Sequence, residues 1–160
     1  MAITIGDRIP EVPLRVMTAE GPKQVSSTEV LGKGTVVLFA VPGAFTPTCS
    51  DHHLPGFVVR ADELRAKGVD TIACVAVNDP FVMGAWARDQ KVGDRVTMLS
   101  DGNGEFTRAV GLELDGSAFG LGTRSQRYAA IVKDGVLTAL FVEPGPGLEV
   151  SSAESVLAAL

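Results

Sequence analysis

Two continuous apolar runs dominate the hydrophobic pattern of the chain. The runs TVVLFAV (35–41) and DTIACVAVN (70–78) are rich in β-branched residues, which is typical of strands buried on both faces of a sheet. Between them the pattern turns helical from about 49 to 67, with Gly68 as a stop signal. Because Pro55 lies inside this helical segment, we expect a kink or an irregular first turn there.

The second half of the chain continues the alternation of strands and helices. The sequence NDP predicts a helix with Pro80 at its first position. VTMLSD predicts a short strand, GEFTRAVG a short helix, and RYAAIVKDGVLTALFVE two strands joined by the tight-turn dipeptide Asp134-Gly135. The spacing of Ser151 and Glu154 predicts a capping box at the start of a final helix.

The order of these elements predicts the fold class. ITIGDRIPEVPLRVM and GPKQVSSTEV indicate short extended pieces with turns, which we interpret as an N-terminal β-hairpin extension. The rest is β-α-β-α-β, a short helix, a β-hairpin and a final helix. This order predicts one α/β domain over residues 1–160, with a mostly parallel central sheet flanked by helices. The closing hairpin and helix resemble the thioredoxin-like arrangement.

Composition and charge restrict the compartment and the partners. With 46% hydrophobic and 21% charged residues, the 160-residue chain falls in the ordinary globular range. A net charge of −5 argues against nucleic acid or an anionic membrane as partner. Two cysteines do not make a disulfide framework, which favours a reducing compartment. We expect a cytoplasmic protein, since no secretory signal or bilayer-spanning run is evident, and a processed organellar form stays open.

One of the two cysteines lies in the segment VPGAFTPTCSDHHLPGF, which directly follows the first buried strand. Cys49 falls where the loop becomes a helix, and the positive end of a helix dipole favours the thiolate, the form that attacks electrophiles. Thr46 offers a hydroxyl on the same loop, while Pro42 and Pro47 stiffen it. Cys49 is therefore a candidate nucleophile.

Two other interpretations of Cys49 stay open at this point. A free cysteine is often a small buried hydrophobic residue. Cys49, His52 and His53 also suggest a metal site, but zinc usually needs four ligands and the chain has no other histidine. We therefore predict no metal. We interpret His52 and His53 as part of a helix face, one exposed to water and one packed.

The same segment resembles the signature of a known family. PGAFTPTCSDHHLPGF is similar to the Pro-x-x-x-Thr-x-x-Cys motif of the peroxiredoxins, specifically the type II or peroxiredoxin-5-like branch. The similarity continues through VNDPFVMGAWA, GLELD, GLGTRSQRYA and VSSAESVLAAL, nearly the whole chain. It implies a thiol-dependent peroxidase on a thioredoxin-like fold, without a cofactor, that reduces hydrogen peroxide and organic hydroperoxides through a sulfenic acid.

The resemblance also implies roles for individual residues. It makes Cys49 the peroxidatic cysteine, Thr46 its hydroxyl partner, Pro42 the shielding proline and Arg127 the active-site arginine. Arg124, in the same GLGTRSQRYA segment, is either a supporting residue of the site or a surface charge.

Ionisation of the thiol cannot by itself explain peroxidase activity. Full ionisation of an ordinary thiol at pH 7 gains about thirtyfold in reactive fraction, which is about 2 kcal/mol. The remaining acceleration has to come from donors around the oxygen on which charge develops. We hypothesise that Arg127, the Thr46 hydroxyl and backbone N–H groups near Cys49 are those donors, while Pro42 limits water around the thiolate.

The route that returns the sulfenic acid to the thiol is open. Cys74 is a possible resolving cysteine. Its apolar run predicts a buried strand, however, so the alternative is that Cys74 has a structural role in the core. The resemblance places another resolving cysteine near the C-terminus in some relatives, where this chain has Val150. We therefore expect an external reductant, either glutaredoxin with glutathione or thioredoxin.

Two other functions use the same cysteine. A glutathione-dependent single-cysteine disulfide oxidoreductase is one alternative, although His52 stands where a Cys-x-x-Cys motif has its second cysteine. A redox-sensing module that forms mixed disulfides is the other. The resemblance implies a homodimer paired through the active-site edge, where the apolar Phe45 and Phe119 are candidate contacts.

Overall fold

The computed structural model describes all 160 residues, which form an α/β fold built on a seven-stranded sheet. The strands are β1 (Pro13–Thr18), β2 (Gly21–Ser26), β3 (Thr35–Ala40), β4 (Thr71–Ala76), β5 (Thr97–Ser100), β6 (Glu113–Asp115), β7 (Thr123–Ser125), β8 (Tyr128–Lys133) and β9 (Val136–Val142). The α-helices are α1 (Ser27–Leu31), α2 (Leu54–Val59), α3 (Ala61–Ala66), α4 (Pro80–Asp89), α5 (Glu105–Val110) and α6 (Ala153–Ala159). A π-helical turn covers Cys49–His53, and a 3₁₀ turn covers Ser117–Phe119.

The sheet confirms the predicted fold class, and its strand directions refine it. The strand order is β2-β1-β5-β4-β3-β8-β9. Only the pairs β3–β4 and β4–β5 are parallel, while β1–β2, β1–β5, β3–β8 and β8–β9 are antiparallel. The parallel part is therefore confined to the centre, because each of the two hairpins adds antiparallel strands at its own edge.

Helices cover both faces of the sheet, so its central strands are buried on both sides. The side chains of β3 alternate between the two faces: Val37 and Phe39 join one core cluster, and Val36 and Leu38 join the other. The first cluster also contains side chains of α2, α3, α4 and α6, and the second contains side chains of α1 and α5. Burial on both faces explains why the run reads as continuously apolar.

Most predicted boundaries agree with the structure. Asp79 caps α4 by accepting a hydrogen bond from the Val82 amide, and Pro80 is the first residue of this helix. Asp134 and Gly135 form the turn of the β8–β9 hairpin with positive φ angles of 49° and 82°. The sequence patterns did not predict α1, nor the small separate sheet formed by β6 and β7.

The predicted cap of the last helix is wrong by one residue. Ser152, not Ser151, caps α6 by accepting a hydrogen bond from the Ser155 amide. The Ser151 hydroxyl donates instead to the buried carboxylate of Glu143. A spacing rule that considers the helix alone cannot anticipate this distant partner.

None of the helices combines the length and the apolar composition needed to cross a bilayer.

Candidate active site

Cys49 lies in the first helical turn after β3, as the sequence predicts. Helical geometry begins at Pro47, and the amide of Ser50 makes the first bond of this helix, to the carbonyl of Thr46 at 2.9 Å. The amides of Thr48 and Cys49 donate to no other group of the chain. Free N–H groups at a helix start attract negative charge. The Cys49 side chain, in the same turn, is fully buried.

The turn that carries Cys49 is π-helical. The amide of Leu54 bonds to the carbonyl of Cys49, five residues back. The next residue, Pro55, has no N–H to continue an α-helical ladder, which favours a widened turn before it. The expected irregular first turn is thereby confirmed. This turn buries both Cys49 and His53 at the same place in the core.

Arg127 reaches the sulfur of Cys49 from the neighbouring strand. Arg127 directly precedes β8, and β8 pairs antiparallel with β3 so that Tyr128 lies opposite Ala40. The Nη2 atom of Arg127 donates to the Sγ atom of Cys49 at 3.1 Å. Arg127 is only 6% exposed, and its Nε atom is buried without a partner. The only salt bridges of the structure are those of Arg60, so no carboxylate neutralises this buried guanidinium.

His53 holds the other side of the guanidinium. Its Nδ1 atom lies 3.0 Å from Nη1 of Arg127, and its Nε2 atom lies 2.8 Å from the carbonyl oxygen of Ser151. An arginine can only donate and a carbonyl can only accept, so Nδ1 is the acceptor and Nε2 carries the proton. The imidazole is therefore neutral. Burial, reinforced by the charge of Arg127, lowers the pKa of His53 to about 4.

The prediction that one histidine is exposed and the other packed is confirmed. His52 is exposed, while His53 is 1% exposed and packs with its ring tilted against those of Phe39 and Phe57. The sequence reasoning missed the contact of His53 with Arg127. The four-residue spacing from Cys49 was the available signal, because it places both side chains on one side of a helical turn. Both ring nitrogens of His53 are engaged in hydrogen bonds within the chain, so neither is free to bind a metal.

Thr46 and Pro42 line a cavity at this site. The cavity has a volume of about 620 Å³, and its lining includes Pro42, Thr46, Phe119 and Arg127. The hydroxyl of Thr46 donates to the carbonyl of Gly43 at 2.8 Å. Its lone pairs therefore stay available as acceptors, which differs from the donor role hypothesised from the sequence.

Arg124 lies in β7 and packs against the loop before Cys49, but it does not bond to the sulfur. Its Nε atom donates to the carbonyl of Leu121 at 2.9 Å, and Nη1 donates to the carbonyl of Pro42 at 3.4 Å. A side chain added at Gly43 would collide with Nη1 of Arg124 at 2.9 Å. Arg124 thus packs on the backbone of the Pro42–Gly43 turn and supports the loop from behind.

Two residues of the VNDPFVMGAWA segment also fix the loop. The Oδ1 atom of Asn78 accepts a hydrogen bond of 2.9 Å from the Ala44 amide. The Nε1 atom of Trp86 donates to the hydroxyl of Ser50, next to Cys49, at 3.0 Å. Phe45, between these contacts, adopts a left-handed backbone with φ of 66°, which is uncommon for a bulky residue. The loop therefore keeps a strained shape because several fixed partners define it.

Cys74 lies in the middle of the sheet. It belongs to β4, opposite Phe39 of β3 and Met98 of β5, and no part of it is exposed. Both cysteines are free thiols in the structure. Burial, with a smaller contribution from Cys49, raises the pKa of Cys74 well above its ordinary value. A thiol that stays protonated is a poor nucleophile.

A second concavity, of about 330 Å³, has a polar lining that includes Arg15 and Asp101. Asp101 is buried, but its carboxylate accepts hydrogen bonds from the Phe106 amide and from the amide and hydroxyl of Thr107. Because these bonds lie within the chain at the start of α5, Asp101 has a structural role.

Comparisons with known proteins show which family the chain resembles along its length. The family model described as Redoxin matches residues 4–157. Chloroplastic peroxiredoxin-2E of Arabidopsis thaliana is 51% identical over 164 residues, which cover 99% of this chain and 70% of that protein. Peroxiredoxin-2B of the same plant is 46% identical over 159 residues, covering 99% of this chain and 98% of that protein.

Solved structures show the same similarity. Reduced Prx3 of Vibrio vulnificus in complex with H₂O₂ superposes with a TM-score of 0.94 and 52% identity, over 98% of both chains. Peroxiredoxin 5 of Alvinella pompejana superposes with a TM-score of 0.87 and 36% identity, over 98% of this chain and 97% of that one.

Proposed function

Because this chain belongs to the Redoxin family and is a type II peroxiredoxin, a thiol-dependent peroxidase, we propose that Cys49 is its peroxidatic cysteine. Arg127, Thr46 and Pro42 form the peroxide site around this cysteine. The observation that carries the assignment is the 3.1 Å bond from Arg127 to the sulfur. A thiolate at this distance supplies the counter-charge that the buried guanidinium otherwise lacks.

The donors that face Cys49 suit a peroxide whose O–O bond is breaking. Two of the five N–H donors of Arg127 are used by Cys49 and His53, and the buried Nε has no partner. The free amides of Thr48 and Cys49 add two more donors beside the sulfur. Fixed donors of this kind stabilise charge that develops in the transition state. The oxygen that leaves acquires that charge.

Thr46 orients the peroxide as an acceptor. Since its own hydrogen is bonded to the Gly43 carbonyl, its lone pair receives the O–H of the hydroperoxide. This contact directs the protonated oxygen toward the sulfur. Pro42 lines the same cavity and restricts water around the thiolate.

The reaction balances without a cofactor. The thiolate of Cys49 attacks one peroxide oxygen, an S–O bond forms, and the O–O bond breaks. The other oxygen takes the electron pair and a proton and leaves as water or as an alcohol, while Cys49 becomes a sulfenic acid. An external thiol then displaces water from the sulfenic acid, and a second thiol reduces the resulting mixed disulfide.

The external thiol is glutaredoxin with glutathione, or thioredoxin. Cys74 is buried in the sheet and stays protonated, which argues against fast internal attack on the sulfenic acid. A disulfide would also require the two Cα atoms to approach to about 4.4–6.8 Å. Cys74 therefore has a structural role, as a small apolar side chain of the core.

The deciding experiment is steady-state consumption of hydrogen peroxide and of an alkyl hydroperoxide with each reductant. Wild type and Cys74→Ser should turn over with at least one reductant, and Cys49→Ser should be inactive. A redox-sensing module would instead form mixed disulfides without multiple turnovers. A disulfide oxidoreductase would reduce disulfide substrates with glutathione and leave peroxide untouched.

The homodimer is supported by exposed aromatic residues at the active-site edge. Phe119 is 83% exposed and lines the cavity, and Phe45 is 51% exposed on the loop before Cys49. Large apolar side chains left exposed in this way favour a protein partner. Phe119→Glu should shift the protein toward the monomer in analytical ultracentrifugation, while Phe81→Glu, at an exposed position of α4, should not.

A compartment with reduced thiols follows from the need for a thiol reductant. Relatives of this chain include chloroplastic forms, so an organellar location is as compatible with the family as a cytoplasmic one. We assign the cytoplasm, which fractionation of the source cells with an antibody to the protein would test.

A further inference from the structure

Glu143 is a buried carboxylate that lines the same cavity as Thr46 and Arg127, and the proposed peroxide chemistry gives it no role. It follows β9 and is only 7% exposed. It takes part in no salt bridge, since those of the structure belong to Arg60. A buried carboxylate without a counter-charge needs several hydrogen bonds to stay ionised.

Those hydrogen bonds all come from one short loop. The amides of Glu149, Val150 and Ser151 donate to the carboxylate at 3.0, 2.9 and 2.7 Å, and the hydroxyl of Ser151 donates at 2.7 Å. Burial alone would raise the pKa of Glu143, but the bonds from Ser151, Glu149 and Val150 hold it below its ordinary value. The carboxylate is therefore ionised, and all the donors of the loop converge on it.

The loop in turn fixes the guanidinium. The carbonyl of Ser151 accepts a hydrogen bond from Nε2 of His53, and Nδ1 of His53 accepts one from Nη1 of Arg127. Glu143 also touches Arg127 directly at the main chain, because its amide donates to the Arg127 carbonyl at 3.0 Å. One residue thus holds both the backbone of Arg127 and, through Ser151 and His53, its side chain.

We infer that Glu143 is a positioning residue for peroxide reduction, which sets the place of the Arg127 guanidinium against the Cys49 sulfur through the 149–151 loop and His53. This inference rests on the proposed role of Cys49. It assigns no contact between Glu143 and the peroxide. What Glu143 supplies is the geometry of its carboxylate, since its charge is already engaged by the loop.

Three substitutions separate geometry from charge. Glu143→Gln keeps the length and one acceptor oxygen, and most of the donors converge on a single oxygen, Oε2. Glu143→Asp keeps the charge but withdraws it by one methylene, and Glu143→Ala removes the acceptor. Misplacing a supporting group lowers kcat/KM by roughly 10- to 100-fold. We therefore expect Glu143→Asp and Glu143→Ala to lose that much kcat/KM, and Glu143→Gln to stay within about threefold of the wild type. Glu149→Gln, an exposed carboxylate on the same loop, is the matched control and should match the wild type.

A spectroscopic readout excludes a merely structural effect. The chain has only two histidines, and the exposed His52 can be assigned with His52→Gln. In ¹⁵N NMR of the wild type, His53 should remain neutral and protonated at Nε2 down to about pH 4. In Glu143→Asp, or in Glu143→Ala where it folds, the neutral ring should show mixed tautomers, because the hydrogen bond that fixes the Nε2 proton is lost. A loss of stability alone would not change the tautomer of the folded protein.

The outcomes are distinct. Low activity of Glu143→Asp with high activity of Glu143→Gln, together with mixed tautomers of His53 in Glu143→Asp, supports the inference. High activity of Glu143→Asp with low activity of Glu143→Gln would overturn it, because the charge would then matter more than the geometry. Wild-type activity in all three variants would also overturn it. If the wild type itself consumed no peroxide, the proposed function would fail instead.

Discussion

Arg127 donates a hydrogen bond to the sulfur of Cys49 across 78 residues of sequence. The contact exists because Cys49 follows the end of β3 and Arg127 precedes the start of β8, which are adjacent antiparallel strands. The strand pairing therefore delivers both residues to one edge of the sheet. Four consequences of the site can be measured directly.

Arg127→Lys should lower kcat/KM for hydrogen peroxide by about 10²- to 10³-fold, the usual cost of removing a preorganised donor. A lysine keeps the charge but lacks the planar fork that serves Cys49 and His53 together. Stopped-flow peroxide reduction measures the change. Arg60→Lys, at an exposed salt bridge, is the control and should retain the wild-type rate. Equal rates for Arg127→Lys and Arg60→Lys would show that Arg127 has no role in peroxide reduction.

Thr46→Val should lower kcat/KM for hydrogen peroxide by a far larger factor than it lowers the rate of Cys49 alkylation by iodoacetamide at a fixed pH. Valine keeps the shape of threonine but has no lone pair to accept the peroxide O–H, while the donors to the sulfur are unchanged. Thr46→Ser, which retains a hydroxyl, should keep most of the activity. If the alkylation rate fell by the same factor as kcat/KM, Thr46 would act on the sulfur rather than on the peroxide.

Cys74→Ser should retain turnover with an external reductant, at a cost in stability. A serine hydroxyl at this fully buried position has no evident partner, which costs about 1–3 kcal/mol of unfolding free energy. Mass spectrometry of the wild type after one equivalent of peroxide, without reductant, should show oxidation confined to Cys49. An intramolecular disulfide in that experiment, or loss of turnover with every reductant, would make Cys74 a resolving cysteine.

Acid should destabilise the protein through His53. Its pKa is about 4 in the folded chain and 6.5 in the unfolded chain, so below pH 6.5 the unfolded chain binds a proton that the folded chain does not. Stability is therefore complete above pH 6.5 and falls as the pH drops toward 4, by about 2 kcal/mol between pH 7 and pH 5.

Urea unfolding at a series of pH values measures this loss. His52→Gln should keep the full slope because His52 is exposed, whereas His53→Gln should flatten it. The lowered pKa of Glu143 places its own loss of stability at lower pH, below the range of the comparison. A slope that persisted in His53→Gln would assign the acid sensitivity to another group.

The parts of the site that are local in sequence could be predicted. The apolar run of β3 and the helical pattern after it place Cys49 at a helix start, and Pro55 predicts the irregular turn. Arg127 followed from a motif rather than from physics. The antiparallel pairing of β8 with β3 supplies the physical reason only once the strand order is known.

The parts that depend on distant partners could not be predicted. Ser151 has the spacing of a helix cap, but its hydroxyl donates to the buried carboxylate of Glu143 instead of capping the helix. His53 reads as one packed histidine of a helix face, and only the position of the Ser151 carbonyl shows which nitrogen carries its proton. Thr46 was misjudged as a donor for the same reason, since Gly43 takes its hydrogen.

The bond between Trp86 and Ser50 ties the only indole of the chain to the residue that follows Cys49. Because of this bond, we expect any rearrangement of the turn around Cys49 to change the surroundings of this chromophore. The intrinsic fluorescence of Trp86 would then follow changes at Cys49 without an added label.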